Sequence, residues 1–329
     1  MTTAQWKIGI VGCGLIGHRR ALHLPASFEL AAVFDPSVEA MERLTTGASA
    51  TPRMASSAEE IVLDDHIDVV LIATPHNQLS PLTVASLERG KHCFVEKPGG
   101  ASKDDIARIG AAADASGSIV RFGFNHRFHP SILSARNLIA SGIYGDVASI
   151  RAVYGHGGRL GYETEWRARR EIAGGGELVD QGSHLIDLIG FLAGIKQLEF
   201  VHLPTSFWKM EVEDNAFLAL SLKQGGLAWL HTSWTEWKNT FRMEIALRKA
   251  RIDIIGLGKS YGIETLVVHE MDETMQPPST TSTIFESPDD SWATELSHFE
   301  RALRGEPNLG ATCNDVLGTW SIIEQAYSR

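Results

Sequence analysis

The sequence predicts an α/β domain with a doubly wound parallel sheet over residues 1–125. An α+β domain with a large, open, mostly antiparallel sheet is expected over residues 126–329. Three observations carry this. Strand-like and helical stretches alternate through the first domain. A glycine string, Gly12-Cys13-Gly14-Leu15-Ile16-Gly17, directly follows the apolar run Ile8-Gly9-Ile10-Val11. From residue 198 to 268, strand-like runs succeed one another with turn breaks such as Gln224-Gly225-Gly226.

In the first domain, strands are expected at 7–11, 30–35, 68–74, 92–96 and 119–124. They are apolar throughout, as strands covered on both faces by helices are. Ser80-Pro81 reads as a cap before a proline at the first helical position, with Gly90 as the stop. Ser102, with Asp105 three residues on, reads as a second cap, and Gly117 ends that helix. After Pro130 the texture changes. A helix over 131–140 stops at Gly142, a strand runs 147–154, and a Gly/Arg-rich loop leads to a helix from about 177 to 192. Residues 275–288, rich in Pro, Ser and Thr, read as an exposed connection. Helices over 292–303 and 312–327 close the chain, the last a candidate to pack back on the first domain.

A chain of 329 residues with 43% hydrophobic residues can bury two cores. Its net charge of −10 argues against nucleic acid, which is gripped by a surplus of lysine and arginine. It does not argue against a dinucleotide held by backbone N–H groups. Cys13, Cys93 and Cys313 are odd in number and widely spaced, so a disulfide framework is not expected and a reducing cytoplasm is. With the first strand so near Met1, no secretory leader is expected. No apolar run approaches the ~18 residues of a membrane span.

The glycine string has the context that dinucleotide binding needs. Gly12 permits the tight turn, Gly14 lets backbone approach a pyrophosphate, and Gly17 lets helix and strand pack closely. The helix N-terminus then offers free N–H groups. Asp35 ends the next strand, where it would accept hydrogen bonds from ribose hydroxyls and repel a 2′-phosphate, so NAD is favoured over NADP. Arg19 and Arg20 are the cations that could compensate.

Lys97, in Glu96-Lys97-Pro98, ends a buried-type strand at the edge where open α/β sheets bind ligands. The plainer reading is a surface lysine beside a turn. Asp180 and His184 are four residues apart and share a helix face, with Asp187 three further on. Leu178, Val179, Leu185, Ile186, Leu188 and Ile189 bury that helix, so its polar groups must be paired or face a cleft. His184 is thus a satisfied core histidine or an acid/base group. No further ligand lies at metal spacing, so no metal is expected.

With the glycine string, Glu96-Lys97-Pro98 and the stretch from Gly174 to Asp187, the chain resembles the Gfo/Idh/MocA oxidoreductase family. The resemblance implies a Rossmann domain followed by an open-sheet domain often used for homodimer or homotetramer contacts. It also implies hydride exchange between nicotinamide and a secondary alcohol or ketone of a sugar-like substrate. Lys97 would polarise the reacting hydroxyl, Asp180 contact the substrate or tune Lys97, and His184 act as acid/base. Cofactor contacts are expected at Gly12, Gly14, Leu15, Ile16, Gly17, Asp35, Thr74, Pro75, His76, Glu96 and Lys97. The string Thr74-Pro75-His76-Asn77-Gln78-Leu79-Ser80 departs from the family's usual pattern, with Ser80 at the histidine position, so His76 is given no catalytic role.

Substrate contacts are expected at Lys97, Asn125, Arg127, Tyr154, Arg159, Trp166, Arg167, Asp180 and His184. Arg159, Arg167, Arg169 and Arg170, with Tyr162 and Trp166, could hold a sugar nucleotide or another anionic sugar. Equally, they could pair with Glu163, Glu165 and Glu171. A ligand-sensing regulator on the same fold, or a redox-neutral enzyme with tightly held NAD, are the competing readings.

Overall fold

Apolar, β-branched runs form the first sheet. The structure, a computed structural model, describes residues 6–46, 51–272 and 274–329. Strands β1 (Trp6–Val11), β2 (Phe28–Phe34), β3 (Arg53–Met54), β4 (Val69–Ile72), β5 (His92–Glu96) and β6 (Val120–Gly123) pair in the order β3-β2-β1-β4-β5-β6. Every pairing is parallel. Helices α1 (Leu15–Leu22), α2 (Val38–Thr46), α3 (Ala58–Leu63), α4 (His76–Glu88) and α5 (Lys103–Ser116) connect the strands. Strand order reverses between β1 and β4, which places a ligand crevice at their carboxyl ends.

One helix start differs from expectation. α4 begins at His76, not at Ser80-Pro81, so Pro81 lies inside it. Ser80 is no cap: its buried hydroxyl donates to the Asp105 carbonyl and ties α4 to α5. Ser102 does cap α5, accepting from Asp105 N–H, and Gly117 ends that helix in the left-handed conformation.

The remaining elements are α6 (Pro130–Ser141), β7 (Val147–Gly155), α7 (Arg170–Ala173), α8 (Ser183–Ala193), β8 (Ile195–His202), β9 (Asn215–Leu222), β10 (Leu227–Ser233), β11 (Thr240–Leu247), β12 (Ala250–Ile255), β13 (Glu264–Glu270), β14 (Ser279–Phe285), α9 (Ser291–Leu303) and α10 (Cys313–Tyr327). The second sheet runs β14-β13-β12-β11-β7-β10-β9-β8, antiparallel except where β7 meets β10. β14 lies where an exposed connection was expected. Its alternating Thr and Ser with Ile284 suit an edge strand, which needs only one hydrogen-bonded neighbour and carries its side chains in solvent. The expected motif helix opens with a π-helical turn, Leu178–Gly182, before α8.

Contacts group the chain into two compact units. The first is the chain up to Phe124 with Trp292–Leu317, and the second is Asn125–Ser291 with Gly318–Arg329. Residues 292–317 therefore belong with the first sheet, although the sequence reading gave 126–329 to one domain. The reason is packing: Leu296 and Phe299 join Ile8, Ile10, Val33, Leu71 and Phe94 in the first core.

Candidate active site

In the first unit, Gly12 turns the chain out of β1 at φ +95°, where a Cβ would sit 2.5 Å from the Ala73 carbonyl oxygen. A Cβ on Gly17 would sit 1.8 Å from the Gly12 carbonyl oxygen, so the first helix turn can close only over glycine. Gly14 is different: nothing lies within 4 Å of where its Cβ would be. α1 starts there without a side-chain cap, leaving first-turn N–H groups for a ligand. A cleft of about 290 Å³ opens at this place, lined by Cys13, Gly14, Leu15, His18 and Arg43. Ile16 is half-buried beside it.

Asp35 follows β2 and accepts from the N–H groups of Cys13, at 2.8 Å, and Ser37, at 2.9 Å. It thus holds the glycine loop from the end of β2. The Cys13 thiol is inert, its pKa pushed up to about 12 by burial and then by Asp35. Beyond β4, Pro75 precedes α4, His76 is buried as its first residue, and the Thr74 hydroxyl is buried with no partner among the described residues. An open glycine cradle, an acceptor after β2 and an orphaned hydroxyl at the switch point fit a dinucleotide.

Glu96 and Arg20 are engaged with each other. Arg20 is fully buried, with Nε 2.6 Å from Glu96 and Nη1 2.6 Å from Glu295. Its guanidinium lies between the rings of Phe94 and Trp292. It is therefore closed to a 2′-phosphate, and Arg19 is drawn over Trp292. Glu96 anchors the carboxyl end of β5, from which Lys97 emerges half-buried. The Lys97–Pro98 peptide is cis.

In the second unit, His184 lies on α8 with its ring stacked on His126, centroids 3.9 Å apart and planes 25° apart. Tyr154, at the end of β7, meets both rings by its edge, at 6.1 and 5.0 Å. Burial, then Tyr261, Asp180 and Glu177, raise the Tyr154 pKa well above its usual value. It stays a phenol that can donate a hydrogen bond, not a base. Asp180, in the π-helical turn, is half-buried and carries Arg167 Nε 3.6 Å from its Oδ2.

Several residues expected to contact substrate have partners within the protein. Arg127 forms a bidentate pair with Asp187 at 2.8 and 2.5 Å, both buried, joining the turn Asn125–Phe128 to α8. Asn125 donates to Ser291 Oγ at 3.0 Å. Arg159 pairs with Glu165 at 2.7 and 2.5 Å, and Arg169 pairs with Glu171. Arg167 lies over the Trp166 ring, between Glu165 and Asp180. Arg159, Arg167 and Arg169 thus each lie within ion-pair reach of a carboxylate. Sequence reasoning missed Tyr261, which packs on Tyr154 at 4.9 Å, and Gln181, whose amide meets the Tyr261 hydroxyl at 3.3 Å. Tyr261 sits in a short loop before β13 that carries no motif. Among the described residues, no His, Cys, Asp and Glu group could hold a metal ion, and no helix is long and apolar enough to cross a membrane.

A glycine-cradle parallel sheet in one unit, with an open sheet and the helix bearing Asp180 and His184 in the other, defines a nucleotide-binding oxidoreductase class. The chain belongs to the Gfo/Idh/MocA family: residues 6–124 match the oxidoreductase family NAD-binding Rossmann fold, and residues 132–253 match the GFO/IDH/MocA C-terminal domain. Among curated relatives, the scyllo-inositol 2-dehydrogenase (NADP(+)) of Bacillus subtilis is 29% identical over 65% of this chain and 59% of its own length. The levoglucosan dehydrogenase of Pseudarthrobacter phenanthrenivorans is 26% identical over 67% of this chain and 59% of its own. The chain thus spans about three fifths of the length of these two relatives. The D-glucoside 3-dehydrogenase of Escherichia coli is 25% identical over 71% of this chain and 72% of its own. A solved levoglucosan dehydrogenase, in complex with NADH and levoglucosan, shares the fold with a TM-score of 0.86 at 20% identity, covering 98% of this chain and 97% of that one.

Proposed function

We propose that the protein is an NAD(H)-dependent oxidoreductase that interconverts a secondary alcohol and ketone on an uncharged sugar or polyol. The observation that carries this reading is the buried His184, its ring fixed against His126 and Tyr154, in a chain that also holds a dinucleotide cradle. The relatives named for inositol, levoglucosan and glucoside chemistry support the substrate class. Neutralisation of Arg159 and Arg167 favours an uncharged substrate over a sugar nucleotide.

The Gly12–Gly17 loop, Asp35 and Thr74 would hold NAD, which when bound supplies the two-electron acceptor for the carbinol carbon. Lys97 would hold the substrate hydroxyl through its ammonium group and favour its ionised form. His184 would take the hydroxyl proton at a ring nitrogen and return it in the reductive direction. Asp180, an anion beside Tyr154, would contact the substrate. Tyr154, held as a phenol, would keep the His126 and His184 rings in place by packing against both.

Asp35 supports NAD as the preferred cofactor. Three free thiols, two of them buried, support a reducing cytoplasmic compartment. An exposed apolar row supports a homodimer or homotetramer through the second sheet: Phe200 and Trp229 stack at 5.6 Å while 46% and 41% exposed.

The test is absorbance at 340 nm with NAD, across scyllo-inositol, levoglucosan, methyl α-glucoside and UDP-glucose. At least one neutral polyol is expected to turn over better than UDP-glucose. His184→Asn and Lys97→Met should each lower that rate by roughly 10²-fold or more. A His184→Asn enzyme at near wild-type rate would remove the acid/base role, and preference for UDP-glucose would remove the uncharged substrate.

A further inference from the structure

We infer that His126 is a positioning residue that sets the ring plane of His184. The inference rests on the acid/base reading of His184. A histidine's second side-chain torsion is broad and roughly two-fold, so a lone imidazole on a helix face does not aim its nitrogens reproducibly. Proton transfer depends on that aim, because the accepting nitrogen must point along the hydroxyl's O–H direction within hydrogen-bond reach. The 3.9 Å, 25° stack restricts the torsion, since rotating the His184 ring would drive its edge into the face of His126.

His126 is itself immobilised. It is 8% exposed and sits in a 3₁₀ turn directly after the chain enters the second unit. Its Nδ1 lies 3.2 Å from Asn125 Oδ1. The Asn125 amide nitrogen donates to Ser291 Oγ, which in turn donates to Asp289 Oδ1 at 2.6 Å. With the Asn125 nitrogen committed to Ser291, its oxygen accepts, so the proton of His126 is placed on Nδ1. The edges of His129, Tyr154 and Phe241 close on the same ring at 5.7, 5.0 and 6.3 Å. His126 is thus a fixed flat plate, and His184 is the ring laid on it.

Two variants separate the flat face from the nitrogens. His126→Ala removes the plate, while His126→Phe keeps it and removes the hydrogen bond. With the best-used neutral polyol of the panel above, His126→Ala should lower kcat about tenfold or more, in the range of a misplaced acid/base, with a smaller change in KM. The primary isotope effect with C-deuterated substrate should rise as chemistry slows. His126→Phe should stay within about threefold of wild type, since aromatic stacking survives. Independently of turnover, histidine-labelled protein should show the His184 ring C–H resonances displaced upfield by the neighbouring ring. That displacement should be lost in His126→Ala and kept in His126→Phe. The inference is overturned if a folded His126→Phe loses as much kcat as His126→Ala, if His126→Ala keeps wild-type kcat, or if the resonances do not respond. Failure of His184→Asn to slow the enzyme would instead overturn the acid/base reading itself.

Discussion

Replacing Arg20 with methionine keeps most of the side chain's volume and its contact with Phe94 and Trp292 but removes the charge between two carboxylates. Glu295 is 1% exposed and Glu96 is 7% exposed, so neither can recover its hydration without the core opening. Burial alone would depress the guanidinium's pKa; Glu96 and Glu295 outweigh it and raise it. Removing one member of such a group typically costs about 3–5 kcal/mol, because a buried charge is left uncompensated. For a domain of 150–250 residues, roughly 2–4 °C accompany each kcal/mol, so the first unit's transition should fall by about 6–20 °C. Differential scanning calorimetry with hydrogen exchange on β1 and β5 would resolve that transition from the second unit's. Arg20→Lys should also destabilise, since one ammonium cannot reach both carboxylates in the fork geometry of a guanidinium. The triple variant Arg20→Met, Glu96→Gln, Glu295→Gln should recover a large part of the loss. A loss below about 1 kcal/mol for Arg20→Met, or no recovery in the triple variant, would refute the charge argument, since a cavity alone would not respond to neutralising the acids.

Gly17→Ala places a methyl group against the Gly12 carbonyl, a backbone atom that cannot rotate away; equilibrium titration should show NADH binding weakened by at least tenfold, and near-normal binding would reject the cradle. Asp35→Ala should narrow the NAD-to-NADP preference, read as a ratio of kcat/KM values, while weakening both cofactors, because it also releases the loop held at Cys13 N–H. Asp214 is buried yet its pKa is lowered: burial raises it, and the N–H groups of Ser206, Phe207 and Trp208 outweigh that. Its stabilisation is present above the ordinary value of 3.8 and lost as pH falls through its depressed folded value. Asp214→Asn should therefore cost about 1–3 kcal/mol at neutral pH, with the gap to wild type closing in acid, as thermal melts from pH 7 to 3 would show.

What was legible in the sequence is what is encoded locally. The glycine string, Asp35 and the strand ends around them answer to sterics within a few residues, and the structure places them as those sterics require. The Ser102 and Gly117 caps are local in the same sense. Ser80-Pro81 misled because a cap signature is not unique: the same serine could serve a partner outside its helix, the carbonyl of Asp105. Glu96 could not be read, since its task depends on Arg20 and Glu295, far away in sequence. Nor could the approach of Arg167 to Asp180 be read, because Asp180 lies in another element. The π-helical turn at Leu178–Gly182 leaves no compositional trace that separates it from the α-helix following it. The ring stack of His126 on His184, 58 residues apart, has no sequence signature.

The return of Trp292–Leu317 to the first unit sets an order of events during synthesis. The glycine loop, Phe28 and Phe94 leave the ribosome early, whereas Glu295, Leu296 and Phe299 follow only after the entire second sheet has been made. At ~5–20 residues per second, the 193 residues between Phe124 and Leu317 take about 10–40 s to appear. Until Glu295 and Phe299 emerge, late in that interval, Arg20 has one of its two carboxylates, and the aromatic face that Phe299 will cover is bare. The unit translated first thus cannot close its core until Trp292–Leu317 has been made, and its apolar face is open to chaperones or to aggregation for as long as translation of the second sheet continues.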